Sequence, residues 1–189
     1  MKKDLQNSVR IIGGKWRGRK LAFPNEAGLR PTADRIRETV FNWLAPYIVG
    51  RNCLDLFAGS GVFGFEAISR GAARAVLVDQ SKSVVNALQK ISNSLKCDSI
   101  VIKHASVPDQ LKSMQIDAKF DMIFLDPPYQ SDLLNTSFRM LEDEQWLDKG
   151  ALVYVEQARD SVLPPTPKHW ELLKKQESAG TCFMLFRAN

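Results

Sequence analysis

With 189 residues, 44% apolar and 25% charged, the chain has the length and composition of a single globular domain with a substantial core. It contains no apolar run long enough to span a bilayer, and its charged start (Lys2, Lys3, Asp4) leads into no apolar signal-peptide core. Neither a membrane-spanning helix nor a secreted protein is expected, and a cytoplasmic protein is the simple reading. Cys53, Cys97 and Cys182 are odd in number and far apart, and His104 and His169 stand alone, so neither a disulfide framework nor a metal site is expected. The net charge of +5 is unevenly spread. Residues 1–37 hold ten Lys/Arg against three acidic residues, a net of +7, and the rest of the chain carries −2. A basic N-terminal arm on a near-neutral body suits a phosphate-rich partner, although a solvated basic face has the same signature.

Taken in order, residues 9–13 and 20–23 read as short strands flanking a Gly-rich loop, a possible hairpin. Arg30-Pro31-Thr32 breaks the pattern, and Thr32 or Asp34 is placed to cap a helix reaching Leu44, with Ile36, Val40, Phe41 and Leu44 at helical spacing. From Asn52 strand and helix patterns alternate. Strands are expected at 53–57, 75–79, 99–103, 120–125 and 151–155, and helices at 62–69, 81–95 and 133–141. Such alternation predicts a doubly wound, mainly parallel α/β sheet covered on both faces. After the stiff connector Leu163-Pro164-Pro165-Thr166-Pro167, residues 170–175 and 181–187 are expected to pair antiparallel about Gly180. The total is about seven strands, with a C-terminal antiparallel hairpin at one edge.

The first strand of the alternating region runs into Asp55-Leu56-Phe57-Ala58-Gly59-Ser60-Gly61-Val62-Phe63-Gly64, a G-x-G-x-x-G turn between strand and helix. Asp79 follows Gly59 by 20 residues at the end of the next strand, where an acid can bind ribose hydroxyls. A nucleoside-containing cofactor is expected. Asp55 discriminates among them, because a carboxylate beside the glycine turn repels a pyrophosphate and favours a cation. That selects S-adenosylmethionine, with its sulfonium and ammonium, over NAD or FAD; a turn-stabilising role for Asp55 is compatible with this.

The fourth strand leads directly into Asp126-Pro127-Pro128-Tyr129. In open α/β sheets ligands bind beyond the carboxyl ends of the strands, so this segment shares a crevice with the glycine loop. The prolines remove two N–H donors and leave carbonyl acceptors. An aromatic amine is a poor nucleophile because its lone pair is delocalised. Acceptors at Asp126 and Pro127 can bind its N–H groups, and Tyr129 can stack on the base. No cysteine lies near, so direct in-line transfer without a covalent enzyme intermediate is expected.

These residues resemble class I methyltransferases with an (Asp/Asn)-Pro-Pro-(Tyr/Phe) motif. The run Arg10-Ile11-Ile12-Gly13-Gly14-Lys15-Trp16-Arg17-Gly18-Arg19-Lys20-Leu21 is similar to the N-terminal signature of the bacterial 16S rRNA guanine-N2 methyltransferase family, RsmD type. Leu29-Arg30-Pro31-Thr32, Asp34-Arg35-Ile36-Arg37-Glu38 and Phe41-Asn42-Trp43-Leu44 resemble its second signature; Ser69-Arg70-Gly71-Ala72 and Tyr154-Val155-Glu156 follow in family order. The resemblance implies S-adenosylmethionine-dependent methylation of the N2 amine of guanine-966 in 16S rRNA, with small subunits or late precursors as substrate. It implies a Rossmann-like methyltransferase domain over residues 46–189 and a basic hairpin-plus-helix extension over 1–45. Asp55, Phe57, Gly59, Ser60, Gly61 and Asp79 would line the cofactor, joined by Thr32 and, for adenine, Ser106. Asp126, Pro127, Pro128 and Tyr129 would hold the target amine and base. RNA binding falls to Arg10, Lys15, Trp16, Arg17, Arg19, Arg30 and Arg35, with Trp16 equally readable as a hairpin core residue. A monomer without metal or membrane association is expected. The alternatives are a DNA or RNA adenine-N6 methyltransferase, a NAD-binding oxidoreductase, and a noncatalytic RNA-binding assembly factor.

Overall fold

The computed structural model describes residues 7–26, 32–107, 110, 119–128, 132–143, 146–178 and 180–189. Arg30, Pro31 and Tyr129, with Lys2, Lys3 and Asp4, lie outside the described residues. A hairpin of β1 (Asn7–Arg10) and β2 (Lys20–Phe23) surrounds a 3-10 turn at Gly14–Trp16. After α1 (Asp34–Leu44), strands and helices alternate: β3 (Asn52–Asp55), α2 (Val62–Ser69), β4 (Arg74–Asp79), α3 (Lys82–Ser94), β5 (Ile100–His104), β6 (Phe120–Leu125), α4 (Leu133–Asp143) and β7 (Leu147–Ala158). The chain finishes with β8 (Trp170–Ser178) and β9 (Thr181–Ala188).

One sheet has the order β5-β4-β3-β6-β7-β9-β8. Its first five strands are parallel, and β9 runs antiparallel between β7 and β8. From β3 the chain winds outward through β4 and β5, then returns to β6 on the other side of β3. In open α/β sheets such a reversal is where ligands bind, which points to the carboxyl ends of β3 and β6 as the crevice. Alternation along each strand divides the core in two. Cys53, Leu77, Phe124 and Tyr154 pack with α1, α2 and α3, whereas Leu54, Val76, Ile123 and Val155 pack with Leu134, Phe138 and Leu141 of α4. On the first face, Phe63 stands 5.1 Å from Phe124 and 5.0 Å from Tyr154, ring centre to ring centre. Such pairs contribute about 0.5–1.5 kcal/mol each beyond their buried area. Among the described residues, no helix is long and apolar enough to cross a membrane.

Local chemistry sets the element ends. Ser81 caps α3, its hydroxyl accepting the Val84 N–H at 3.4 Å. The expected cap of α1 at Thr32 or Asp34 is corrected: Ala33 occupies that position without a side-chain cap, and Asp34 is already helical. Thr32 instead turns its hydroxyl away from the helix to Asp126. β3 stops at Asp55, two residues before the expected end, because the backbone must already curve into the glycine loop. β7 is longer than expected because antiparallel pairing with β9 carries it on to Ala158.

The N-terminal hairpin is built into the main core. Val9, Ile11, Leu21 and Phe23 are buried in the same cluster as α2, α3 and the first sheet face. Polar contacts fix its turn against α2: Ile12 N–H donates to Glu66 Oε2 (2.8 Å), Trp16 N–H to Ser69 Oγ (2.9 Å), and Ser69 Oγ to the Gly13 carbonyl (2.6 Å). Gly14 has φ +72°, and a Cβ there would stand 1.9 Å from the Ser69 carbonyl oxygen. Gly18 also has positive φ, +86°, but faces open space. Gly14→Ala is therefore expected to destabilise the protein by more than about 2 kcal/mol, adding a backbone clash to the strain, and Gly18→Ala by only about 1 kcal/mol. Urea denaturation of the two variants measures the difference; equal losses would contradict the close approach of hairpin and α2.

Candidate active site

The glycine loop leaves β3 and enters α2 through two left-handed residues, Gly59 (φ +50°) and Gly61 (φ +74°). Gly61 N–H donates to the Ala58 carbonyl (2.6 Å), closing the turn. Asp79, at the end of β4, holds the loop in place by accepting from Gly59 N–H (2.9 Å) and Ser81 N–H (2.8 Å). Burial raises its carboxyl pKa, with those two amides acting the other way. The Ser60 side chain is buried, and Phe57 packs partly against the second core cluster. Ser106 follows β5 beside the β4 end, and its N–H donates to Gln110 Oε1 (3.0 Å). The loop, Asp79 and Ser106 thus share one end of the sheet.

Asp55 closes β3 with only 2% of its surface exposed. Amides of Phe57 and Gly64 reach its carboxylate, but Oδ2 has no hydrogen-bond partner among the described residues. Desolvation dominates and, with Asp79 adding like charge, pushes its pKa to about 7. An orphaned oxygen on a buried carboxylate fits a ligand with a cationic group and disfavours one with a phosphate.

Asp126 follows β6 and is half-buried. The pairing of Leu125 with Val155 places Asp126 beside Glu156, whose Oε2 accepts the Tyr154 hydroxyl at 2.6 Å. Burial first, then the charges of Glu156 and Asp55, raise the Asp126 carboxyl well above its ordinary range; the Thr32 hydroxyl, donating to Oδ2 at 3.1 Å, opposes them. Asp126, Thr32, Asp55 and Glu156 therefore form one acidic cluster at the crevice. Pro127 is buried and Pro128 exposed. Glu156 has no role that sequence reasoning assigns; the signal for it is a charged residue directly after the apolar run 151–155.

The basic residues lie on the extension. Arg10, Lys15, Arg17 and Arg19 are exposed, as is Arg35 in the first turn of α1. Trp16 is partly buried, 6.5 Å from the Phe65 ring, with Lys15 Nζ 4.4 Å above it, so part of its surface serves the core and part remains open. A cavity of about 360 Å³ lies between hairpin and α1, lined by Arg10, Lys20, Thr32 and Asp34 among others. Thr32 thus borders both this basic cavity and Asp126. Lys20 is absent from the residues expected to bind RNA, since strand and loop cations look alike in sequence.

Because folded Asp55 holds its proton more tightly than the unfolded chain, its contribution to stability is present below about pH 4 and is lost as pH rises to about 7. Asp55→Asn should be more stable than the parent at pH 8, by on the order of 1–3 kcal/mol, with no advantage at pH 4. Denaturation at both pH values without added ligand tests this, and a pH-independent difference would contradict a desolvated Asp55.

A family model described as Conserved hypothetical protein 95 matches residues 9–187. The ribosomal RNA small subunit methyltransferase D of Haemophilus influenzae is 45% identical over 187 residues, covering 97% of this chain and 96% of that protein. The protein of the same name in Escherichia coli K12 is 42% identical over 179 residues, covering 95% of this chain and 89% of its own. Among solved structures, the yhhF protein of Escherichia coli superposes with a TM-score of 0.84 at 39% identity, covering 96% of this chain and 98% of that one. With sheet order, glycine loop and carboxylate cluster all inside the matched region, the chain belongs to the Conserved hypothetical protein 95 family and, like these relatives, is a methyltransferase.

Proposed function

We propose that this protein transfers a methyl group from S-adenosylmethionine to the N2 amine of guanine-966 in 16S rRNA of the small ribosomal subunit. The carrying observation is the placement of Asp126, held by Thr32, in the same crevice as the orphaned oxygen of Asp55. The names of the family relatives support rRNA as the substrate. Assembled subunits or a late precursor in the cytoplasm are the proposed partners, acted on by a monomer.

S-adenosylmethionine supplies an electrophilic methyl on a sulfonium. Asp55 takes the cationic methionine end, and the backbone of Gly59 and Gly61, with Phe57 and Ser60, forms the wall beside it. Asp79 serves the ribose and Ser106 the adenine edge. Asp126 and the Pro127 carbonyl accept the N–H groups of the target amine and hold its lone pair toward the methyl; Pro128 stiffens that turn, and Tyr129 provides the ring that stacks on the base. A desolvated carboxylate such as Asp126 is a stronger acceptor than one in water. The base must leave its stack, which is cheapest in a loop or bulge. Arg10, Lys15, Arg17, Arg19, Arg30 and Arg35 meet phosphates, and the open part of Trp16 offers a stacking surface.

Labelled S-adenosylmethionine and small subunits from a strain lacking the activity should yield N2-methylguanosine at one site, resolved by mass spectrometry of digested rRNA. Label in adenine, or transfer to DNA alone, would overturn the substrate. Asp126→Ala should lower turnover by at least about 10²-fold with cofactor affinity within about twofold, and retained turnover would refute its role.

Reversing Arg17 and Arg19 to Glu should weaken subunit binding without changing cofactor affinity. Its salt dependence should flatten by about one unit of log–log slope for each phosphate the variant no longer neutralises. Binding curves at several salt concentrations supply the check. An unchanged slope would remove these residues from the RNA interface.

A further inference from the structure

Arg37 is fully buried, although it lies in a helix whose opposite face is open to solvent. Its guanidinium joins three parts of the molecule. Nε donates to the Thr32 carbonyl (3.2 Å), and Nη2 to the Arg10 carbonyl (2.9 Å) and Asp34 Oδ1 (2.6 Å). Nη1 stands 3.6 Å from Oε2 of Glu66, which is also fully buried. Glu66 in turn accepts from Ile12 N–H (2.8 Å) and Arg70 Nε (2.7 Å). Glu66 lies on α2, the helix that begins at the glycine loop, so the guanidinium is referenced to the cofactor side of the crevice.

Stability alone is a weak reason for this arrangement, since buried ion pairs are often matched or bettered by apolar groups of similar volume. A guanidinium adds direction, because its planar fork fixes several acceptors at set angles. One of those acceptors is the main chain of Thr32. The Thr32 side chain does not cap α1, and its hydroxyl donates to Asp126 Oδ2 at 3.1 Å. The line from Glu66 through Arg37 and Thr32 therefore ends on the carboxylate that meets the target amine.

We propose that Arg37 is a positioning residue for methyl transfer, fixing the Thr32 backbone so that the Thr32 hydroxyl holds Asp126 in the orientation that accepts the target amine. The inference rests on Asp126 being that acceptor. It gives Thr32 a place on the base side of the reaction, in addition to any contact with the cofactor. It also explains why the segment between hairpin and α1 is tied to α2 by a buried charge: a shift of Thr32 by about an ångström would turn Asp126 away from an in-line geometry.

The test uses the full-length enzyme with small subunits and S-adenosylmethionine, measuring kcat, KM for subunits and cofactor Kd. Thr32→Val should lower kcat about tenfold, with KM and cofactor Kd within about twofold, and Thr32→Ser should restore kcat. Arg37→Lys keeps a cation facing Glu66 and should lower kcat to a similar extent. Adding Arg37→Lys to Thr32→Val should cost little more, because both changes break the same chain of hydrogen bonds. Multiplying losses in the double variant, or an Arg37→Lys effect confined to KM, cofactor affinity or thermal stability, would overturn the proposal. If Arg37→Lys fails to fold, the Thr32 pair decides: unchanged kcat in Thr32→Val overturns it, and loss rescued by serine sustains it. Turnover retained by Asp126→Ala would instead strike at the acceptor assignment, a result that neither Thr32 variant can produce.

Discussion

Desolvation of carboxylates is the constraint on which the rest of the site depends. Asp55, Asp126 and Glu156 stand at the carboxyl ends of three adjacent parallel strands, and burial raises the first two above the ordinary carboxylate range. Left to itself such a cluster costs free energy, since like charges repel and each has given up water. The fold offsets this with donors placed one by one: the amides of Phe57 and Gly64 on Asp55, the Thr32 hydroxyl on Asp126, and the Tyr154 hydroxyl on Glu156. Each of these donors is neutral, so none of them cancels the negative charge of the carboxylates, which suits the cationic ligand and N–H-bearing base of the proposed function.

Topology produces the cluster. β3 and β6 are neighbours because the chain reverses its winding at β3, and register then decides which side chains meet. Asp55 pairs with Phe124 and Leu125 with Val155, so Asp55, Asp126 and Glu156 share one face with the Phe63, Phe124 and Tyr154 rings. A one-residue slip in either pair would send a carboxylate to the opposite face, among the apolar side chains of α4. The aromatic packing beneath the crevice thus has a functional consequence: it fixes the register that lifts three acids together.

Much of this was legible in the sequence because it depends on local period and punctuation. The alternation from Asn52 onward marks the parallel strands β3 to β7, and Gly59 and Gly61 mark the loop; that Asp79, read from sequence as a ribose ligand, also ties this loop down shows only in its contact with Gly59 N–H. What escaped depends on contacts distant in sequence. Thr32 looked like a helix cap, a role decided locally, but its hydroxyl has a partner 94 positions away. Arg37 falls on the apolar stripe of α1 beside Ile36, Val40 and Phe41, and Glu66 sits among the apolar residues of α2. A charge on each buried stripe is a signal that two helices share an ion pair; which helices, and around which loop, only packing reveals. For Trp16 the ambiguity was physical: an indole among cations can pack or stack, and here it is partly buried with a lysine over its ring.

The boundary near residue 45 also changes meaning in three dimensions. Composition separates a basic extension from a near-neutral body, yet Val9, Ile11, Leu21 and Phe23 lie in one core with α2 and α3. Small separate modules move on their linkers; a hairpin that shares a core, and whose turn hydrogen-bonds to Glu66 and Ser69, moves only when that core opens. The cations of the extension are consequently held in a fixed relation to the crevice, through the same α2 that carries the glycine loop. In the proposed function this lets a substrate as rigid as a folded rRNA be aligned by its phosphates while one base reaches Asp126, because packed helices and strands set the distance between the extension and the Asp126 cluster.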